Sequence, residues 1–130
     1  MPYREGGNSV LTGDLSRINR TIKAVRQSEF DKTSIKDPVI TTLKSLRKTL
    51  PTIEDWTSAP GQSWVESYNN TIRSLYKHSQ ATTMRSEDGK EREIPSNKRA
   101  YKVSERFSNR LTDRISDLTK QSTSGLSTAT

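Results

Sequence analysis

Four separate stretches of this chain place apolar residues at helical spacing, and that pattern points to an all-α fold. In the first, Leu11, Leu15, Ile18, Ile22 and Val25 alternate steps of 4 and 3, as in a heptad seam. Ser9 or Thr12 suits its cap, and Asp14 falls in the first turn, where a carboxylate complements the helix dipole. A helix is expected over about 12–30, ending in the polar run from Asp31. The second stretch opens with Asp37-Pro38, an acceptor side chain followed by proline at the first helical position. Val39, Leu43, Leu46 and Leu50 carry its stripe to Pro51, so a helix is expected over 37–50. Residues 52–56 are available for one further short turn.

The third stretch begins at Ser63, with Glu66 at capping-box distance, and runs to 79 on Val65, Tyr68, Ile72 and Leu75. Trp64 and Tyr76 flank that stripe. Pro60-Gly61, just before it, reads as a chain reversal. The fourth stretch, 96–121, aligns Val103, Phe107, Leu111, Ile115 and Leu118. Residues 80–97 between the last two stretches lose the helical period. They read as a polar acidic insert, either a small hairpin within 82–94 turning at Asp88-Gly89 or an exposed mobile loop.

A chain of 130 residues makes one domain, with a polar N-terminal arm over 1–11 and a flexible Ser/Thr-rich tail over 122–130. Leu, Ile, Val and Phe supply only 24 of those residues, so the core is narrow. Two arrangements satisfy four such helices: an antiparallel bundle, or helical hairpins whose core is completed by neighbouring copies.

Several chemistries have no residues to carry them. With no cysteine there is no disulfide framework, thiolate metal site or cysteine nucleophile. No apolar run is long enough for a transmembrane helix, and the N-terminus shows no secretory leader pattern. His78 is the sole histidine and has no nucleophile or carboxylate at useful spacing, so it reads as a helix-terminus residue. Glu54 and Asp55 are adjacent and would point apart on a helix. Phosphate-loop, zinc and calcium patterns are missing from the sequence. The expectation is a non-enzymatic protein with no metal and no cofactor.

Charge is the informative property. The net +7 divides into +5 over residues 1–50, −2 over 51–97 and +4 over 98–130. On the fourth helix Arg99, Lys102, Arg106, Arg110 and Arg114 step by 3, 4, 4 and 4 into one ridge beside the apolar seam. The first helix adds Arg17, Arg20, Lys23 and Arg26, and the second adds Lys44, Arg47 and Lys48. Any soluble helix carries charges away from its apolar stripe, and Glu105, Asp113 and Asp117 are placed to pair with the arginines. Three positive helices around a negative middle nevertheless favour a polyanion partner, and these twelve residues are the candidate nucleic-acid contacts. No base-reading motif accompanies them and the aromatics are not interleaved with the ridges. Phosphate contacts, with duplex DNA favoured, are therefore expected.

The first-helix seam from Leu11 to Val25, together with the Arg99–Arg114 ridge, gives residues 12–121 an organisation that resembles the helical coat proteins of filamentous and rod-shaped archaeal DNA viruses. The resemblance implies a capsid protein that self-assembles, with copies of itself or a related coat subunit, around nucleic acid. It also implies a place in the virion, and in the host cytoplasm before assembly. The 80–97 insert departs from that pattern. Two other classes stand beside it: a virion-assembly scaffold or connector that binds protein, and a small nucleoid or regulatory DNA-binding protein.

Overall fold

The computed structural model describes residues 12–79, 83–85, 89 and 91–129; the arm expected over 1–11 lies outside the described residues. In chain order the elements are α1 (Thr12–Gln27), a π-helical turn (Lys32–Lys36), α2 (Asp37–Thr49), a 3₁₀ turn (Leu50–Thr52), α3 (Ala59–Ser79), β1 (Thr83–Arg85), β2 (Glu91–Glu93) and α4 (Pro95–Ala129). The all-α expectation holds. The insert contributes a two-stranded antiparallel hairpin that pairs Thr83 with Glu93, Met84 with Arg92 and Arg85 with Glu91. Its turn needs Gly89, whose φ of 82° lies in the left-handed region.

The four helices form an up-down-up-down bundle in which α1 packs on α2 and α4, and α3 on α2 and α4. Cross-helix bonds give the directions. Lys36 at the start of α2 reaches the Arg26 carbonyl at the end of α1, while Arg47 near the end of α2 reaches Asn19. Trp64 near the start of α3 donates to the Leu46 carbonyl at 3.0 Å. On α4, Asn97 accepts from the Glu29 amide and Arg114 meets Asp14, so α4 runs antiparallel to α1.

Every expected stripe faces the interior over its described residues, and Leu11 lies outside them. Ile18, Ile22 and Val25 meet Val39, Leu43, Leu46, Tyr68, Ile72, Leu75, Phe107 and Leu111 in one buried cluster. Its centre is aromatic. Trp64 stacks on Tyr68 with ring centroids 5.8 Å apart, and Phe107 and Trp56 close on that pair edge-on. The Tyr68 hydroxyl donates to the Ser104 carbonyl at 2.9 Å and lies 3.1 Å from the Thr21 hydroxyl, linking α3 to α4 and α1. Burial raises the Tyr68 pKa far above the ordinary tyrosine value, so the group remains a neutral donor.

The ends of the elements differ from the sequence expectation, each for a local reason. Helix α1 stops at Gln27, where the Ser28 hydroxyl donates back to the Val25 carbonyl. The cap ahead of α2 is Asp31 and not Asp37: its carboxylate accepts from the Ser34 amide and hydroxyl at 2.7 and 2.8 Å. Buried Ile35 anchors that turn. Helix α3 starts four residues earlier than expected, at Ala59. Pro60-Gly61 sits inside its first turn, where a missing N–H costs nothing, and Ser58 supplies the cap by accepting from the Gly61 amide. Gly61 is required there because a Cβ would lie 2.4 Å from the Asp55 carbonyl oxygen and 2.7 Å from the Trp56 Cα.

Helix α4 continues through the expected tail to Ala129, 35 residues or about 52 Å. No proline interrupts the run, and Ser and Thr cost a helix only a few tenths of a kcal/mol each.

Candidate nucleic-acid interface

Antiparallel packing brings the cations of α1 and α4 to opposite walls of one groove. Arg17, Arg20 and Lys23 line one wall and Arg99, Arg106 and Arg110 the other, around a volume of about 360 Å³. Ala24, Val103 and Phe107 make the floor, with the Gln27 amide toward the end of α1. A shallower hollow continues along α4 past Lys98 and Lys102, sharing Arg99, Val103 and Arg106 with the groove. Among the described residues no carboxylate lines either hollow. Opposed cations in a low-dielectric cleft focus a positive potential. Arg17 registers it: burial and the Arg110 cation hold its pKa below the ordinary arginine value against the opposing pull of Asp14.

Seven of the twelve candidate residues therefore converge on one continuous surface: Arg17, Arg20, Lys23, Arg99, Lys102, Arg106 and Arg110. Helical spacing puts each set on its own helix face. The pairing of α1 with α4 makes the two sets one site. Lys98 and Gln27 join them and escaped the sequence reading, although Lys98 stands four residues before Lys102 and so shares its strip.

Five candidates lie elsewhere. Arg26 is exposed near the end of α1, and Lys44 and Lys48 are exposed on α2. Arg47 donates to the Asn19 side chain at 2.9 Å and braces α2 on α1. Arg114 corrects the expectation of an uninterrupted surface ridge. Its guanidinium grips Asp14 in a bidentate pair at 2.7 and 3.0 Å, with the carboxylate fully buried and the arginine only 16 % exposed. The same guanidinium lies 5.8 Å from the Trp56 ring centroid. Asp14 also accepts from Arg17 at 3.1 Å. The first-turn carboxylate expected to serve the helix dipole is thus also the junction between α1 and α4.

Glu105, Asp113 and Asp117 of α4 are not among the residues that line the groove. Glu105 faces the α3 side and accepts from the Tyr101 hydroxyl at 2.8 Å. Burial and that neighbour push the Tyr101 pKa up to about 12. Tyr101 meets Tyr76 edge-on at 5.3 Å, and Tyr76, 51 % exposed, is the exposed large apolar side chain among the described residues. His78 is exposed and packs edge-on against Phe30. Among the described residues no group of three or more metal-ligating side chains occurs, and no helix is long and apolar enough to cross a membrane. Comparison of the chain with known protein families, curated proteins and solved structures gave no match.

Proposed function

We propose that this chain is a non-enzymatic structural protein that binds nucleic acid through its phosphates and assembles with copies of itself, as a viral coat protein does. The observation that carries this reading is the α1/α4 groove, with six cations on two facing walls and no acid among the described residues that line it. Arginine predominates, and its planar fork suits phosphate oxygens. No base-reading helix is evident, so binding is indifferent to sequence. The assembly half of the proposal is supported by the narrow aliphatic core and by the open Tyr76–Tyr101 face with Arg73 beside it, a composition typical of protein interfaces. That same face favours a second reading, a virion-assembly factor that docks protein.

Titration with oligonucleotides of unrelated sequence at several salt concentrations tests the proposal. Log affinity is expected to fall linearly with log salt, by about 0.7 to 0.9 for each phosphate contacted. The double reversal Arg106→Glu and Arg110→Glu should stay folded, because both side chains are exposed, and should lower affinity by orders of magnitude at moderate salt. A folded double variant that binds as the parent does would eliminate the groove as the interface and favour the protein-docking reading.

A further inference from the structure

We infer that the groove takes an unpaired nucleic-acid strand in preference to a duplex. This rests on the nucleic-acid reading above and adds what the walls and floor select. A duplex presents a polyanionic exterior with its base faces hidden in the stack. Its phosphates need cations alone, and a flat or convex basic surface supplies them as well as a cleft does. This site is concave, and between its two charged walls the apolar side chain of Val103 is partly exposed, with Ala24 and Phe107 almost fully buried beneath it. A floor of that kind contributes only against a ligand with apolar faces to desolvate, and the bases and sugars of a single strand have them.

The wall chemistry points the same way. Five of the six cations are arginines, and Arg20, Arg99, Arg106 and Arg110 have exposed side chains. A guanidinium plane can stack on an unpaired base while its edge meets a phosphate, which an ammonium cannot do. Among the described residues no aromatic platform of the kind usual in single-strand binders lines this surface, since Phe107 is only 2 % exposed. Arginine planes take that role here, and sequence reading has no means of seeing it, because the planes come from two helices. The volume of about 360 Å³ falls in the range of pockets that hold one small organic ligand, and the Gln27 amide can bond a base edge. Along α1 from Arg17 to Gln27 the groove runs for about 15 Å, so a strand threads through it and only a short segment is held.

The test measures anisotropy of a labelled oligo-dT, an oligo-rU, a duplex of equal length and a polyphosphate of matched charge competing at one salt concentration. A triple variant, Arg20→Lys, Arg106→Lys and Arg110→Lys, keeps the charge and removes three planes. The single strands should bind at least about tenfold more tightly than the duplex or the polyphosphate. In the triple variant that preference should collapse, the single strands losing far more affinity than the duplex, while the salt slope of duplex binding, set by the number of cations, stays as it was; circular dichroism checks that the fold is retained. A duplex or polyphosphate that binds as well as the oligonucleotides, or a triple variant with the full preference, would overturn the single-strand inference and leave phosphate binding standing. Failure of every polyanion to bind at low salt would overturn the nucleic-acid reading itself, and this inference with it.

Discussion

Arg110 and Arg114 sit one turn apart on the same strip of α4, yet they do opposite things. Arg110 stays exposed on the wall of the groove, and Arg114 is mostly buried on Asp14 beside Trp56. Their spacing and residue type are the same. What separates them is the partner that α1 brings alongside: near Arg110 it is another cation, Arg17, and near Arg114 it is a buried carboxylate. A strip of regularly spaced arginines thus defines a face of a helix without defining its use. Arg17 belongs to both regions, lining the groove while donating to Asp14.

The most direct way to break this contrast is to truncate both arginines. Arg114→Ala removes the bidentate partner of the buried Asp14 carboxylate, leaving it Arg17 at 3.1 Å, and is expected to cost about 3 kcal/mol. Arg110→Ala should cost no more than about 0.5 kcal/mol. Urea denaturation of the two variants decides it, and equal midpoints would abolish the distinction. A smaller effect is expected from Gly61→Ala, because Gly61 packs on the backbone of Trp56, the ring beside Arg114. The added methyl must displace that segment, at a cost of about 1–3 kcal/mol. A Gly61→Ala protein as stable as the parent would show that this end of the bundle yields more readily than its close contacts imply.

The smallest expected effect sharpens a parallel contrast between carboxylates. Asp14 is enclosed by two arginines, whereas Asp31 caps a turn at the surface. Bonds from the Ser34 amide and hydroxyl lower the Asp31 pKa. Its contribution is therefore present above the ordinary aspartate value of about 3.9 and fades as pH falls through the lower folded value. Urea midpoints of the parent and of Asp31→Ala should differ slightly near neutrality and converge in acid. A difference that persists unchanged at the lowest pH would mean that the cap does not act through its charge.

Much of the fold was legible because the residues that carry it act through local period. The stripes through Ile18, Leu43, Tyr68 and Phe107 each named a helix and its buried face. Gly89 marked the hairpin turn, since a left-handed residue is a property of one position. Pro60-Gly61 was misread because the same dipeptide serves a reversal or the first turn of a helix. Only the approach of the Trp56 backbone, a tertiary contact, shows which applies. The candidate site was half legible. Cation spacing placed Arg17, Arg20 and Lys23 on one helix and Arg99, Arg106 and Arg110 on another. Nothing local says that α4 lies against α1, and nothing near Asp14 in the sequence announces Arg114.

The order of helices around the bundle has a kinetic meaning. Contacts of α1 with α2, α2 with α3, and α3 with α4 join neighbours in sequence, and each closes a short loop. The α1–α4 contact closes the ring: Asp14 and Arg114 are 100 residues apart. Closure entropy grows with loop length, so this seam has the highest entropic barrier of the four, and opening there can leave the other three seams paired. The groove lies along that seam and exists only while the ring is shut. A strand bound in it holds the first and last helices together, so loading the groove should slow the escape of α1 from the bundle.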